Sequence, residues 1–309
     1  MTGAVLLALV PVILLIGMGY WLRHSGFLAE GFWPQAERLG YFVLLPSLFI
    51  HGLATAKLES LPVWGLAGTL VGSILLVSAL VVALRPLMRV DGAAFTSVFQ
   101  GSVRFNNYVA VTIAAGLFGT QGIAMAAICN AAIVPTVNVL CVLVFARYGS
   151  ARLNARGILR QIVTNPLVVA CAIGILLQGL GLGLPPGLEP ALRALGAASL
   201  PLGLLCVGAA LDFGTARSWI GPVVTSSALK FLAMPVATLL VALALGLRGP
   251  ALVVALLFQA MPTASSAYIL ARQLGGDAPL MAGITATQTV IAALAIPLVL
   301  ATLTALVVP

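Results

Sequence analysis

Long apolar runs separated by short polar, Gly- or Pro-bearing connectors recur along the whole chain. They fall at 3–22, 34–55, 61–84, 93–118, 120–146, 161–182, 190–212, 218–246, 250–272 and 277–307. Because roughly 20 apolar residues cross a bilayer, each run is predicted to be a membrane helix, and the chain an all-α protein with ten transmembrane helices. Two of these runs turn polar near the middle. One reads Phe99-Gln100-Gly101-Ser102-Val103-Arg104-Phe105-Asn106-Asn107, the other Phe258-Gln259-Ala260-Met261-Pro262-Thr263-Ala264-Ser265-Ser266. Backbone freed from a helix inside lipid must be satisfied by protein or by a wet cavity, so helices four and nine are expected to be broken and to line a binding site.

The two halves echo each other. Pro11 and Gly19 match Pro166 and Gly174, Leu45-Pro46 matches Leu200-Pro201, Trp64 matches Trp219, and Phe99-Gln100 matches Phe258-Gln259. Five spans per copy is an odd number, so the second copy must be inverted in the membrane. The expected organisation is a first five-helix repeat over 1–150 and an inverted second over 151–309, with helices four and nine crossing.

Composition agrees with this picture. The 309 residues are 61% hydrophobic and 7% charged, whereas a soluble domain carries about a quarter charged residues. The first run has no positive residue before it, and its charges, Arg23 and His24, follow it, so it reads as a retained span. The net charge of +8 lies between apolar runs and reads as orientation signal, with no nucleic-acid partner implied. With the N-terminus outside, the inner loops hold Arg23, Arg38, Arg85, Arg89, Arg147, Arg152, Arg156, Arg160, Arg217 and Arg272, against Lys57, Arg193 and Arg248 outside. That bias predicts both termini on the outer side of the cell (inner) membrane. The cysteines Cys129, Cys141, Cys171 and Cys206 all fall within apolar runs, without metal spacing; no metal site and no cofactor are expected.

The chemistry sits at mid-depth. Arg104 lies roughly 16 Å into its run at about 1.5 Å per residue. Asn106 and Asn107 suit the opening of a second half-helix, Pro262 suits the first turn of another, and Thr263, Ser265 and Ser266 add hydroxyls. Half-helix N-termini aimed at one point favour an anion. Lys230 is also near mid-depth, whereas Glu30, Glu37, Glu59, Asp91, Glu189, Asp212 and Asp277 sit at loops or span ends. Arg104 and Lys230 either brace the crossover or touch the ligand. The two asparagines either cap or bind, and the serines either pack or bind. Asn130, Asn138, Thr285 and Gln288 are expected to make interhelical hydrogen bonds. No catalytic group is expected: there is no Gly-x-Gly-Asp motif, and the histidines, His24 and His51, are not deep.

From Met261-Pro262-Thr263-Ala264-Ser265-Ser266 to Gly275-Gly276-Asp277 the chain resembles the auxin efflux carrier family. Arg104-Phe105-Asn106-Asn107-Tyr108 resembles the fourth-span motif of its bacterial members, and Leu229-Lys230 with Pro235 its eighth span. The likeness follows the whole chain in order. It implies a fold related to bile-acid symporters, with a scaffold of spans one, two, six and seven beside a transport bundle, often as a homodimer. It also implies a carboxylate substrate, with the crossover asparagine at Asn106. Plant members carry prolines where this chain has Ile113 and Ala267, and a long insert where it has only Arg147 to Arg160.

The expected function is therefore a secondary carrier, not an enzyme, that moves a small organic anion, as efflux, by elevator-type alternating access. Asn106, Asn107, Pro262, Thr263, Ser265 and Ser266 would form the substrate site, with Arg104 and Lys230 supplying positive potential. The alternatives are a sodium- or proton-coupled carboxylate importer on the same fold and a passive channel.

Overall fold

Prolines and glycines set the helix ends and their irregularities. The computed structural model describes residues 2–56, 61–149, 164–211, 220–264 and 266–305, and among these the ordered elements are all helical. They are α1 (Thr2–His24), α2 (Phe32–Leu39), α3 (Leu45–Ala54), α4 (Val63–Met88), α5 (Gly92–Val103) and α6 (Asn107–Tyr148). The second half contains α7 (Pro166–Gly179), α8 (Leu188–Ala209), α9 (Ile220–Ala228), α10 (Met234–Ala244), α11 (Gly249–Gln259), α12 (Ser266–Leu274) and α13 (Ala278–Ala305).

Two of the prolines act alike. Proline has no N–H to donate, and its ring crowds the carbonyl four residues earlier. Ahead of Pro46 the turn Gly40–Leu44 widens to π geometry, with the Leu45 N–H donating to the Gly40 carbonyl. Ahead of Pro235 the turn Leu229–Ala233 does the same, with the Met234 N–H donating to the Leu229 carbonyl. Each wide turn joins two helices, α2 to α3 and α9 to α10, into one irregular rod. Within α6, Gly119 takes φ 57° and ψ −135°, which interrupts the helical path at the boundary between the fourth and fifth apolar runs.

Among the described residues, five helical stretches are long and apolar enough to cross a membrane: Val63–Met88, Gly92–Tyr148, Leu188–Ala209, Ile220–Ala244 and Ala278–Val299. Val10–His24, Pro166–Gly179 and Gly249–Gln259 are shorter apolar helices. Large apolar side chains remain exposed on them, including Trp64, Leu176, Leu240 and Leu294. Hydrocarbon would cover such faces, whereas water would not.

The chain divides into two contact units, each built from both halves of the sequence. The first comprises Met1–Val63, Tyr108–Ala131 and Gln161–Ala210. It holds the first, second, sixth and seventh apolar runs, which the family resemblance assigns to a scaffold, and also residues 108–131 of α6. Its helices approach closely through glycine: Gly19 faces the Leu205 backbone, and Gly208 the Ile16 backbone, with no room for a Cβ at either. Gly174 meets Leu53, and Gly196 meets Leu48, so α3 is clasped between α7 and α8. Small residues let helix backbones touch where the hydrophobic effect offers no drive.

The second unit comprises Trp64–Asn107, Ala132–Arg160 and Leu211–Pro309. Its core gathers Ala94 and Val98 of α5, Val223 of α9, Ala267 and Ala271 of α12, and Leu280, Met281 and Ile284 of α13. The first break, residues 104–106, and the second, after Gln259, both lie in this unit, whereas residues 108–131 of α6 belong to the first.

Candidate functional site

The two interruptions are real breaks, and they touch. α5 ends at Val103; Arg104 is extended (φ −74°, ψ 159°), and α6 starts at Asn107. α11 ends at Gln259, and α12 does not begin until Ser266. The Asn106 backbone N–H donates to the Pro262 carbonyl at 2.7 Å, and the Phe105 and Phe258 rings pack at 5.7 Å. Pro262 was expected in the first turn of the second half-helix. It lies instead within the break, because Thr263 and Ala264 are non-helical as well, and its carbonyl serves the other break.

Gln288 of α13 ties the two breaks together. Its Oε1 accepts the Thr263 N–H at 3.0 Å, while its Nε2 donates to the Gly101 carbonyl at 3.0 Å and to Ser226 Oγ at 3.2 Å. One side chain thus satisfies a freed donor of the second break and a carbonyl of the helix that ends at the first. Ser226 Oγ in turn donates to the Val98 carbonyl at 3.3 Å. Gly101 is where α5 meets α9 and α13: a Cβ there would collide with Ser226 Oγ and lie 2.6 Å from Ile284 Cγ2. The sequence marks Gln288 as a polar residue in an apolar helix; that it serves both breaks at once is visible only in three dimensions.

The matched glutamines are used in parallel. Gln100 Nε2 donates to the Ala267 carbonyl at 3.5 Å, and Gln259 Nε2 donates to the Leu70 carbonyl at 3.1 Å and Ser73 Oγ at 2.8 Å. Both side chains are fully buried, and each leaves its Oε1 without a hydrogen-bond partner among the described residues.

Other polar atoms nearby share that condition. Both amide atoms of Asn107, Thr263 Oγ1 and Lys230 Nζ are buried with no protein partner among the described residues. A buried unpaired polar group costs about 1–3 kcal/mol, and a charge costs more, so each of these atoms is poised for a polar occupant. Lys230 sits in the π turn one helical turn beyond Ser226, on an element packed against α5. Arg104 behaves differently: its Nη1 donates to Asn138 Oδ1 at 3.1 Å, which braces the end of α5 against α6. Asn106 is buried, and Ser266 is half-buried at the start of α12. Ser265 lies outside the described residues, as do Lys57, Glu59, Asp212, Arg152, Arg156, Arg160, Arg217 and Trp219.

The described carboxylates are occupied elsewhere or lie at helix ends. Asp91 Oδ1 accepts the Ala94 N–H at 2.7 Å, and Asp277 Oδ1 accepts the Leu280 N–H at 2.9 Å; each caps a helix start. Glu30 pairs with Arg23 and Glu189 with His51, and Glu37 belongs to α2. The Gly275-Gly276-Asp277 motif also docks the α12–α13 loop on α5. The Asp277 N–H donates to the Ala93 carbonyl and Ser97 Oγ donates to the Asp277 carbonyl, while a Cβ at Gly276 would lie 2.9 Å from Thr96 Oγ1. No group of three metal-ligating side chains occurs among the described residues.

Apolar helices with lipid-suited faces and two abutting helix breaks define a multi-pass membrane protein of the transporter class. The chain matches the model of the family described as membrane transport protein over residues 4–300 and belongs to that family, which includes the auxin efflux carriers. It is 24% identical over 295 residues to a protein of Methanothermobacter thermautotrophicus described as an "uncharacterized transporter", covering 93% of this chain and 94% of the relative.

Proposed function

We propose that this chain is a secondary carrier for a small organic anion bearing a carboxylate, working as an exporter by elevator-type alternating access. In this reading the chain spans the inner membrane ten times as two inverted five-helix repeats, keeps both termini outside and forms a homodimer. The unit that holds both breaks carries the ligand. Asn106, Asn107, Thr263, Ser265 and Ser266, together with backbone N–H groups freed at the breaks, bind the carboxylate. Pro262 keeps the second break open. Lys230 supplies the countercharge, and Arg104 adds positive potential from its place beside Asn138.

The observation that carries the reading is the pair of abutting breaks, with the Asn107 amide and Thr263 Oγ1 at them buried and without a partner among the described residues, and Lys230 Nζ in the same condition on a turn packed against α5. Two cations without a described carboxylate for company favour an anionic guest, because each midplane cation costs roughly 2.5–3.5 kcal/mol on insertion scales unless something offsets it.

A thermal-shift screen of the purified protein against mono- and dicarboxylates tests this. A ligand present at a hundred times its Kd stabilises the folded state by about 2.7 kcal/mol, enough for a clear rise in Tm. Carboxylates should raise Tm and saturably drive counterflow in proteoliposomes, and Asn106→Ala should weaken both. If neutral or cationic analogues compete while carboxylates do not, the reading is wrong.

A further inference from the structure

We infer that Lys230 is a proton carrier: its amine takes up a proton as the anion binds and gives it back when the anion leaves, so the carrier moves a proton together with each anion. This rests on the carboxylate reading above and adds the coupling ion to it.

The argument begins with placement. Lys230 is completely buried, and its Nζ has no hydrogen-bond partner among the described residues. Its π turn packs against α5, α9 and α10, and none of these three helices contains a titratable side chain. α11 and α13 contain none either, and the other helices that border the breaks carry Arg85 (α4), Tyr108, Cys129, Cys141, Arg147 and Tyr148 (α6) and Tyr268 and Arg272 (α12), with no carboxylate among them. The charged groups flanking α5 are committed, Asp91 to the Ala94 N–H and Arg104 to Asn138. Nothing described here can therefore neutralise an ammonium at Lys230. An ammonium in such surroundings survives only with an anion beside it, so the empty carrier holds a neutral amine and the loaded carrier an ion pair.

The helix that carries Lys230 is tied to both breaks. Ser226, one turn before Lys230, bonds to Gln288, and Gln288 holds Thr263 of the second break and Gly101 beside the first. On the loading side, water supplies a proton to the –NH2 group as the carboxylate enters, giving –NH3+ against –COO−. On the release side, the carboxylate departs and the proton passes to water. The neutral amine then returns without a buried charge. Lysine suits this task because its protonation yields to burial, whereas arginine stays charged.

The full-length protein in proteoliposomes loaded with a pH-sensitive dye, under a potassium–valinomycin clamp, tests the step with labelled malonate, malate and indole-3-acetate. For a transported probe, saturable uptake should acidify the lumen above the level in protein-free vesicles. Lys230→Met should abolish the protein-dependent acidification. Lys230→Arg, which must return empty with its charge, should lose net uptake about tenfold more than it loses counterflow, since an unpaired midplane cation is expensive to move. Saturable uptake without acidification, or Lys230→Met still moving protons, overturns the proton step alone. Absence of saturable counterflow for every probe overturns the carboxylate reading, and this inference with it.

Discussion

The two breaks use the same device to different effect. Each follows a buried glutamine that binds a backbone carbonyl or hydroxyl through Nε2 and leaves Oε1 without a partner among the described residues. The first break is short, running from Arg104 to Asn106, and contains no proline. Its guanidinium reaches Asn138, so this break is pinned partly by a charged side chain. The second runs through the positions after Gln259 up to Ser266 and contains Pro262, and its freed Thr263 N–H is held by a neutral neighbour, Gln288. Proline stops a helix by withholding a donor, whereas the first break has no proline and adds a charged tertiary contact to its local asparagines. The second break thus leans more on its own backbone chemistry, and the first more on its surroundings.

The largest expected effect comes from the joint beneath both breaks. Gly101→Val should destabilise the protein by about 3 kcal/mol, because overpacking a tight core forces backbone shifts. It should be seen as a large fall in Tm in detergent, and a Tm unchanged from the parent would show that α5 and α9 are not locked together there. Next is Gln288→Leu, which strands the Thr263 N–H and the Gly101 carbonyl. A loss of about 2 kcal/mol is expected, with hydrogen exchange rising more at Thr263 than near Asn106, since the latter keeps its bond to Pro262. Equal rises at both breaks would erase the distinction drawn between them.

Arg104→Gln should cost less stability, about 1 kcal/mol, because glutamine can still reach an amide partner. It should nonetheless lower the apparent affinity of a bound carboxylate by several-fold, read by ligand-induced Tm shift. The smallest effect belongs to a pair remote from either break: Glu30→Gln removes an exposed ion pair with Arg23 and should change stability by less than about 1 kcal/mol, with carboxylate binding unaltered. A marked loss of binding in this variant would mean that the site is sensitive to charges outside the unit that contains it.

Much of this was readable in the residues. Apolar length located the helices, and the polar interruptions at Arg104 and Pro262 located the breaks, because each violates the uniform apolarity that a lipid-spanning helix needs. Gly119 fell at the predicted boundary between the fourth and fifth runs, since a left-handed φ there suits only glycine. The π turns before Pro46 and Pro235 were half legible: the prolines announced an irregularity, but whether the helix kinks or widens depends on packing. Pro262 misled in detail. Its preference for a first helical turn was overridden because its carbonyl is engaged by Asn106 across the unit.

What the residues determined alone is the class of object: a chain too apolar for water, with two places where a buried helix must open, and positive charge but no acid at that depth. Those properties follow from transfer energies and local backbone chemistry, which act wherever the chain goes. The tertiary structure alone decided which groups share an environment. Gln288, distant in sequence from both breaks, bonds to Thr263 in the second and to Gly101 in the helix that ends at the first; Arg104 is engaged by Asn138, and Lys230 Nζ has no partner among the described residues. Hydrogen bonds reach only about 3 Å, so satisfaction or its absence is a property of assembled neighbours and cannot be written into any single segment.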